Sequence, residues 1–338
     1  MDNPLKNRKI AITGGAGFIG HHLALELSSR EADVAIIDGL QVNNLLSFSV
    51  LSKTPNNDLL YKRFIDQRLD MIREANVPLY VQDARDYHAL SRLISEISPQ
   101  VIVHLAAVSH AGRSNKDPYS TFDHSLRTLE NALDASRDKV EHFIFFSSSM
   151  AYGNFLASEV DEEHSLDPLG IYGALKVAGE KIVIAYQRVF GLDYTIIRPS
   201  ALYGPRCVSR RVGQIFIEKS MVEETLIIDG DGSDKLDFTY IDDLVSGVCL
   251  TIERSAARNQ IFNMTYGASR SVFDLANLVR EEFPEVKIQF RDRDHLKPTR
   301  GTLSIEKART LLDYSPQNPL EVGLPKYIDW YREVTYNT

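Results

Sequence analysis

The chain has 338 residues, 43% hydrophobic and 25% charged, with a formal net charge of −8. That size and balance suit a soluble protein of one large domain or two with a buried core, and dispersed acidic charge offers no footprint for nucleic acid or an anionic membrane. Cys207 and Cys249 lack metal-ligand spacing, no run of about 18 apolar residues occurs, and "MDNPLKNRKIAITGG" has no stretch of signal-peptide length, so the expectation is a cytoplasmic protein with no metal and no membrane span.

In chain order, "KIAITGG", "DVAIIDG", "LYVQDA", "VIVHLAA", "HFIFFSSS" and "YTIIRPS" are short β-branched or aromatic runs that mostly end in small or polar residues. Parallel strands buried on both faces have this appearance. Helix-period segments lie between them: "GFIGHHLALELSSR", "YHALSRLISEI", "STFDHSLRTLENALDAS" and "YGALKVAGEKIVIAYQRV". The alternation predicts an α/β fold, a Rossmann-type doubly wound parallel sheet over residues 1–199, with 235–256 packing back onto it. A smaller α+β lobe, 200–338, follows. One crossover is abnormal, since about forty residues separate "IIDGL" from the next strand, with a helical pattern over Leu59–Glu74.

Gly14, Gly17 and Gly20 stand at a strand-to-helix junction. There the first glycine permits a sharp turn, the second lets backbone approach a pyrophosphate, and the third lets helix and strand pack closely. Helix-end amides then hold the phosphates without a lysine. The next strand ends in Asp38, placed to accept the adenosine ribose hydroxyls and to repel a 2′-phosphate, which favours NAD over NADP. Tyr172 and Lys176, four apart in "YGALK", share one face of a helix, so that the ammonium is expected to pull the phenol pKa from about 10 toward neutrality. Hydroxyls of "FSSSMAYG", at the carboxyl end of a predicted strand, are placed to complete a Ser, Tyr, Lys triad.

In order along nearly the whole chain, "TGGAGFIG", "IIDGL", "DARD", "HLAA", "SSSMAYG", "YGALK", "RPSALYGP", "GDGSDKLDFTYIDDL" and "RGTLSIEKARTLL" resemble the extended short-chain dehydrogenase/reductase family of nucleotide-sugar enzymes. That family includes UDP-glucose 4-epimerases, 4,6-dehydratases and UDP-glucuronate decarboxylases. The resemblance implies that Gly14, Gly17, Phe18, Ile19 and Gly20 line the pyrophosphate, Asp38 the ribose, and Asp83 with Ala84 the adenine. It sets Leu105, Ala106 and Ala107 beside the nicotinamide half, and adds Asn43 and Pro199 to the cofactor residues. Tyr172 is implied as the catalytic acid or base, Lys176 as the nicotinamide-ribose ligand, and Ser148, with Ser149 next in line, as the catalytic serine. Ser109, Ser148 and Ser149 are expected on the substrate, and the two paired helices of family dimers imply a homodimer with Leu126, Leu129, Leu133, Ile182, Val183 and Tyr186 as contacts.

Departures narrow the chemistry. Family dehydratases and decarboxylases carry a Glu where this chain has Met150, and a thioether cannot exchange a proton. Leu236 (beside Lys235), Ala201 and His124 replace the family's Arg, Asn and Asn. A diphosphate in a protein of net negative charge needs local cations, and Arg206, Arg210, Arg211 and Arg300 are the candidates. His21 and His22 read as ordinary helix residues, His104 as structural, and His110 as a residue facing the cleft. The expected function is an NAD-dependent nucleotide-sugar 4-epimerase acting through a 4-keto sugar. A 4-dehydrogenase or 4-ketoreductase is the alternative, a dehydratase or decarboxylase less favoured, and a non-catalytic NAD binder least.

Overall fold

The computed structural model describes residues 3–41, 48, 55–108, 111–293 and 297–336. Seven parallel strands form the central sheet: β1 (Lys9–Thr13), β2 (Asp33–Asp38), β3 (Leu79–Val81), β4 (Val101–His104), β5 (His142–Phe146), β7 (Tyr194–Arg198) and β12 (Gln260–Asn263). The spatial order is β12-β7-β5-β4-β1-β2-β3. Strand order reverses between β1 and β4, and in open α/β sheets ligands bind beyond the carboxyl ends at such a switch point. Residues of β5 and β7 are buried throughout, as strands covered on both faces must be.

Two apolar layers sandwich the sheet. On one side the helices Phe18–Ser29, Pro55–Glu74 and Ile241–Glu253 bury Leu23, Leu27, Phe64, Leu244 and Val248. On the other, Tyr87–Ile97, Thr128–Ser136 and Ile171–Phe190 bury Leu90, Ile94, Leu129, Leu133 and Val183. The helix Ile241–Glu253 does pack back on Phe18–Ser29, tied by an Arg30–Glu253 ion pair at 2.9 Å. The sheet's seventh strand also comes from beyond residue 199, and it pairs with β7 from Gln260↔Thr195 to Asn263↔Arg198.

The segment expected to be one helix over "STFDHSLRTLENALDAS" is interrupted. Pro118–Phe122 is α-helical, Asp123–Arg127 is a π-turn, and α-helix resumes at Thr128–Ser136. Thr128 accounts for part of this, because its Oγ1 donates to the carbonyls of His124 and Ser125, and side-chain bonds of this kind compete with the helical ladder. The remaining residues form a smaller lobe. It contains a parallel pair of β9 (Leu226–Asp229) and β14 (Ile288–Arg291), and the helices Val212–Ser220, Val272–Glu282, Glu306–Leu312 and Leu320–Tyr336.

Candidate active site

A cavity of about 720 Å³ runs between the carboxyl edge of the sheet and the smaller lobe. The glycine turn forms one wall. Gly14 has φ 74°, and a Cβ there would stand 2.7 Å from the Ala106 amide nitrogen, so the turn and the loop after β4 fit only without a side chain. A Cβ on Gly20 would stand 2.5 Å from the Gly15 Cα, which makes it the residue that lets helix and strand approach. At Gly17 a Cβ would meet only the Gly14 carbonyl, at 3.1 Å, so this backbone stays open to the cavity. No side chain caps the helix Phe18–Ser29, leaving its first-turn amides for a ligand. The positions thus fit a dinucleotide pyrophosphate.

Asp38 stands beside that helix end. Its carboxylate accepts from the amides of Ala16 at 3.0 Å and Leu40 at 2.8 Å. Burial raises its pKa, and those two amides and the charge of Arg68 oppose the rise. Asp83 is clasped by Arg85 at 2.7 Å and Gln41 at 2.8 Å, which overcome the effect of burial and hold it well below the usual carboxylate range. Asn131 donates to the carbonyls of Ala84 and Arg85 and fixes this wall, while Thr128 donates to that of Ala106 and fixes the next. Neither Asn131 nor Thr128 stood out in the sequence, although a polar residue on the buried face of a helix is the signal that would have found them.

The third wall carries the triad. Ser148 ends the segment after β5, and its hydroxyl accepts from the Met150 amide at 3.2 Å. Ser149 donates to Ser200 at 3.2 Å, and its amide donates to the Pro199 carbonyl at 2.9 Å. Tyr172 and Lys176 occupy one face of Ile171–Phe190, as their spacing predicts. The expected tuning differs. The Lys176 ammonium donates to the Phe146 carbonyl at 2.6 Å and lies 5.7 Å from the Tyr172 ring centroid, over its face. Burial raises the Tyr172 pKa, and the opposing pull comes from Arg211 and a hydrogen bond with Ser148. Lys176 itself is lowered to about 8 by burial, against the attraction of Glu180.

Beneath the triad, Arg198 and Glu180 form a buried ion pair at 2.7 Å. Glu180 also accepts from Ser147 at 2.5 Å, and Arg198 donates to the Tyr152 hydroxyl at 2.9 Å and the Glu162 carbonyl at 3.0 Å. Tyr152 in turn donates to Asn263 on β12 at 2.7 Å. The network locks the residues flanking Ser148 to three strand ends.

On the smaller-lobe side, Arg210, Arg211 and Arg300 line the cavity. Arg211 and Arg300 each hold a buried Nε without a hydrogen-bond partner. The two are close enough that, after burial, the charge of Arg211 is the next effect lowering Arg300 to about 10. Buried donors of this kind await an anion. Arg206 does not join them. With φ 62° it turns away, bonds His21 at 3.1 Å and lies over Trp330, so the expectation that it meets substrate is corrected. Ala201, His124, Lys235, Leu236 and Met150 all line the cavity.

The histidines of the opening helix serve packing: His21 lies 2.8 Å from the Gly17 carbonyl and His22 3.2 Å from that of Pro205. His104 sits 2.8 Å from the Thr13 hydroxyl, and burial, with the nearby Lys176, lowers it to about 3. The expectations for Asn43, Ser109 and His110 fall outside the described residues.

Residues 10–265 match the NAD dependent epimerase/dehydratase family. An uncharacterized UDP-glucose epimerase of Bacillus subtilis (strain 168) is 32% identical over 95% of this chain and 96% of its own. UDP-glucuronic acid decarboxylase 1 of Arabidopsis thaliana is 26% identical over 98% of this chain and 72% of its own. The crystal structure of UDP-glucuronic acid 4-epimerase from Bacillus cereus, in complex with UDP-glucuronic acid and NAD, superposes with a TM-score of 0.84 at 26% identity, over 96% of this chain and 99% of that one.

Proposed function

The chain belongs to the NAD dependent epimerase/dehydratase family, is an enzyme of the extended short-chain dehydrogenase/reductase type with NAD as its cofactor, and from that premise we propose that it is a nucleotide-sugar 4-epimerase. The observation that carries this reading is the convergence in one cavity of the Ser148–Tyr172 pair with the unpartnered guanidinium nitrogens of Arg211 and Arg300. Those guanidiniums take the diphosphate, which leaves the sugar beside the phenol. Bound NAD supplies a hydride acceptor and, in its reduced form, the donor that returns the hydride.

Tyr172 takes the proton of the sugar 4-hydroxyl as carbon 4 is oxidised, and Ser148 donates to the same oxygen. A sugar held only through its diphosphate is free to turn, so the 4-keto intermediate presents its other face. Tyr172 then gives the proton back. Lys176 holds the nicotinamide ribose and places positive charge under the ring of Tyr172, favouring the phenolate when the proton leaves. Met150 lines the cavity where elimination of water would need an acid, which disfavours dehydratase chemistry.

A 4-dehydrogenase or 4-ketoreductase would use the same groups but change nicotinamide stoichiometrically. The deciding experiment incubates the protein with a panel of nucleotide sugars, following nicotinamide absorbance and chromatographic isomers. A 4-epimer formed with no net absorbance change supports the epimerase, whereas stoichiometric reduction or oxidation overturns it. We also propose a cytoplasmic homodimer. No helix among the described residues is long and apolar enough to cross a membrane. Of the expected dimer contacts, Leu129, Leu133 and Val183 are buried in the chain's own core, whereas Leu126, Ile182 and Tyr186 remain partly exposed for a partner.

A further inference from the structure

The long crossover after β2 has no role in the chemistry above, yet its helix Pro55–Glu74 sends one charged side chain to the cofactor cavity. Arg68 is 0% exposed. Its Nε and Nη2 donate to the Arg206 carbonyl, Nε at 3.0 Å, and its Nη1 is buried with no hydrogen-bond partner. A leucine or methionine would fill this place without the desolvation of a full charge, so a compensating anion is required. Asp38 is the carboxylate whose charge acts on Arg68, and Arg68 acts on Asp38 in return.

The site also explains what the crossover helix attaches to. Arg206, whose carbonyl Arg68 holds, has left-handed backbone at φ 62°, a conformation that costs about 1 kcal/mol or more for a non-glycine residue and persists only where its surroundings fix it. One guanidinium therefore joins three parts: the crossover helix, the acid at the end of β2, and the turn that leads into Arg210 and Arg211. Tyr61, two turns earlier on the same helix, donates to Glu218 at 2.7 Å on Val212–Ser220 and makes a second tie to that segment.

We propose that Arg68 is a positioning residue for cofactor recognition: it supplies the buried counter-charge of Asp38 and so holds that carboxylate for the adenosine ribose hydroxyls. The proposal rests on Asp38 being the ribose ligand. Among the described residues that line the cavity near the glycine turn, Arg68 is set apart by combining full burial, formal charge and an unpartnered donor. Its action passes through Asp38, and the hydroxyls themselves meet the carboxylate.

The test is a double-mutant cycle on the full-length protein, freed of bound nucleotide, with NAD+ and NADP+ affinities measured by calorimetry. Arg68→Gln is expected to weaken NAD+ about tenfold when Asp38 is present and by less than about threefold in the Asp38→Asn background, because the two act as a unit. Equal losses in both backgrounds would make Arg68 a packing residue and overturn the proposal. Asp38→Asn alone reads the underlying assignment: it should erode the preference for NAD+ over NADP+. An unchanged preference would remove the ribose role, and the proposal with it, in a single variant rather than in the cycle. Because Arg68→Gln empties a buried site, Arg68→Lys provides the second arm. Lysine keeps the charge but loses the fork to Arg206, and is expected to fold and to retain NAD+ affinity within about threefold. A lysine variant that does not fold, or that binds as weakly as Arg68→Gln, would show that shape rather than charge is what matters, and would overturn it equally.

Discussion

Replacing Glu180 by Gln should be among the most damaging single-atom changes that this protein can undergo outside the triad. Glu180 Oε1 accepts from Arg198 Nε at 2.9 Å and from Ser147, while Oε2 accepts from Arg198 Nη2 at 2.7 Å. Both side chains are 2% exposed, so no water rescues a lost partner. An amide nitrogen placed at either position points a donor at a donor and leaves the guanidinium charge uncompensated in the core. Breaking a buried pair in this way costs about 3–5 kcal/mol. With an unfolding entropy of about 2 cal/mol/K per residue, a chain of this length would lose roughly 4–7 °C of melting temperature. Urea titration of the apo protein followed by circular dichroism measures the change. Glu180→Met combined with Arg198→Met should recover much of the loss, because two apolar residues of similar volume bring no charge to desolvate, although the Tyr152 hydroxyl then loses its Arg198 donor. A loss below about 1 kcal/mol for Glu180→Gln, or a double variant whose loss equals the sum of Glu180→Met and Arg198→Met alone, would refute the reasoning.

Tyr172→Phe should keep the fold and NAD binding yet lower turnover by about 10² to 10⁴ fold, and Ser148→Ala should lower it less, as steady-state kinetics on the best substrate will show. Gly14→Ala should abolish measurable NAD binding by calorimetry, since its Cβ would enter backbone of the β4 loop at positive φ. Lys176 loses its proton near pH 8, so kcat/KM is expected to fall as pH rises through that value; a profile flat to pH 10 would remove the ammonium from the mechanism. Asp237 is raised to about 7 by burial, despite the amide of Leu303 and the hydroxyl of Thr265 that bond its carboxylate. Its folded pKa lies above its unfolded value, so the folded state holds the extra proton between about pH 4 and 7. Stability from this group is complete below that window and falls on the order of 1 kcal/mol per pH unit across it, a slope that Asp237→Asn should remove from urea midpoints.

What could be read in advance follows from how far each signal acts. The strand runs and the glycine spacing are local statements about backbone, and both survive folding because β-branched burial and φ at Gly14 do not depend on distant residues. The Tyr172–Lys176 spacing foretold a shared face, yet not that Lys176 would donate to Phe146, since that carbonyl arrives from another strand. Arg206 misled because the sequence shows a cation beside "RPSALYGP" but not the left-handed turn that swings it onto His21 and Trp330. β12 escaped notice since "QIFN" carries polar ends, and its Asn263 is polar in order to receive Tyr152.

Arg68 marks the limit most clearly. On an amphipathic helix in a long crossover, an arginine among Asp66, Gln67 and Asp70 reads as part of a solvated face. Only the tertiary placement of that helix against the glycine turn makes it fully buried, and only then does its charge require Asp38. Residues that contact a ligand through local motifs are therefore legible one by one, whereas those that hold the contacts in place are set by chain segments that meet only on folding. The same division separates Ser148 and Tyr172 from Glu180 and Arg198. If it holds, substitutions in the first group should change turnover with little effect on stability, and substitutions in the second should lower stability first and lose activity only as the geometry around Ser148 loosens.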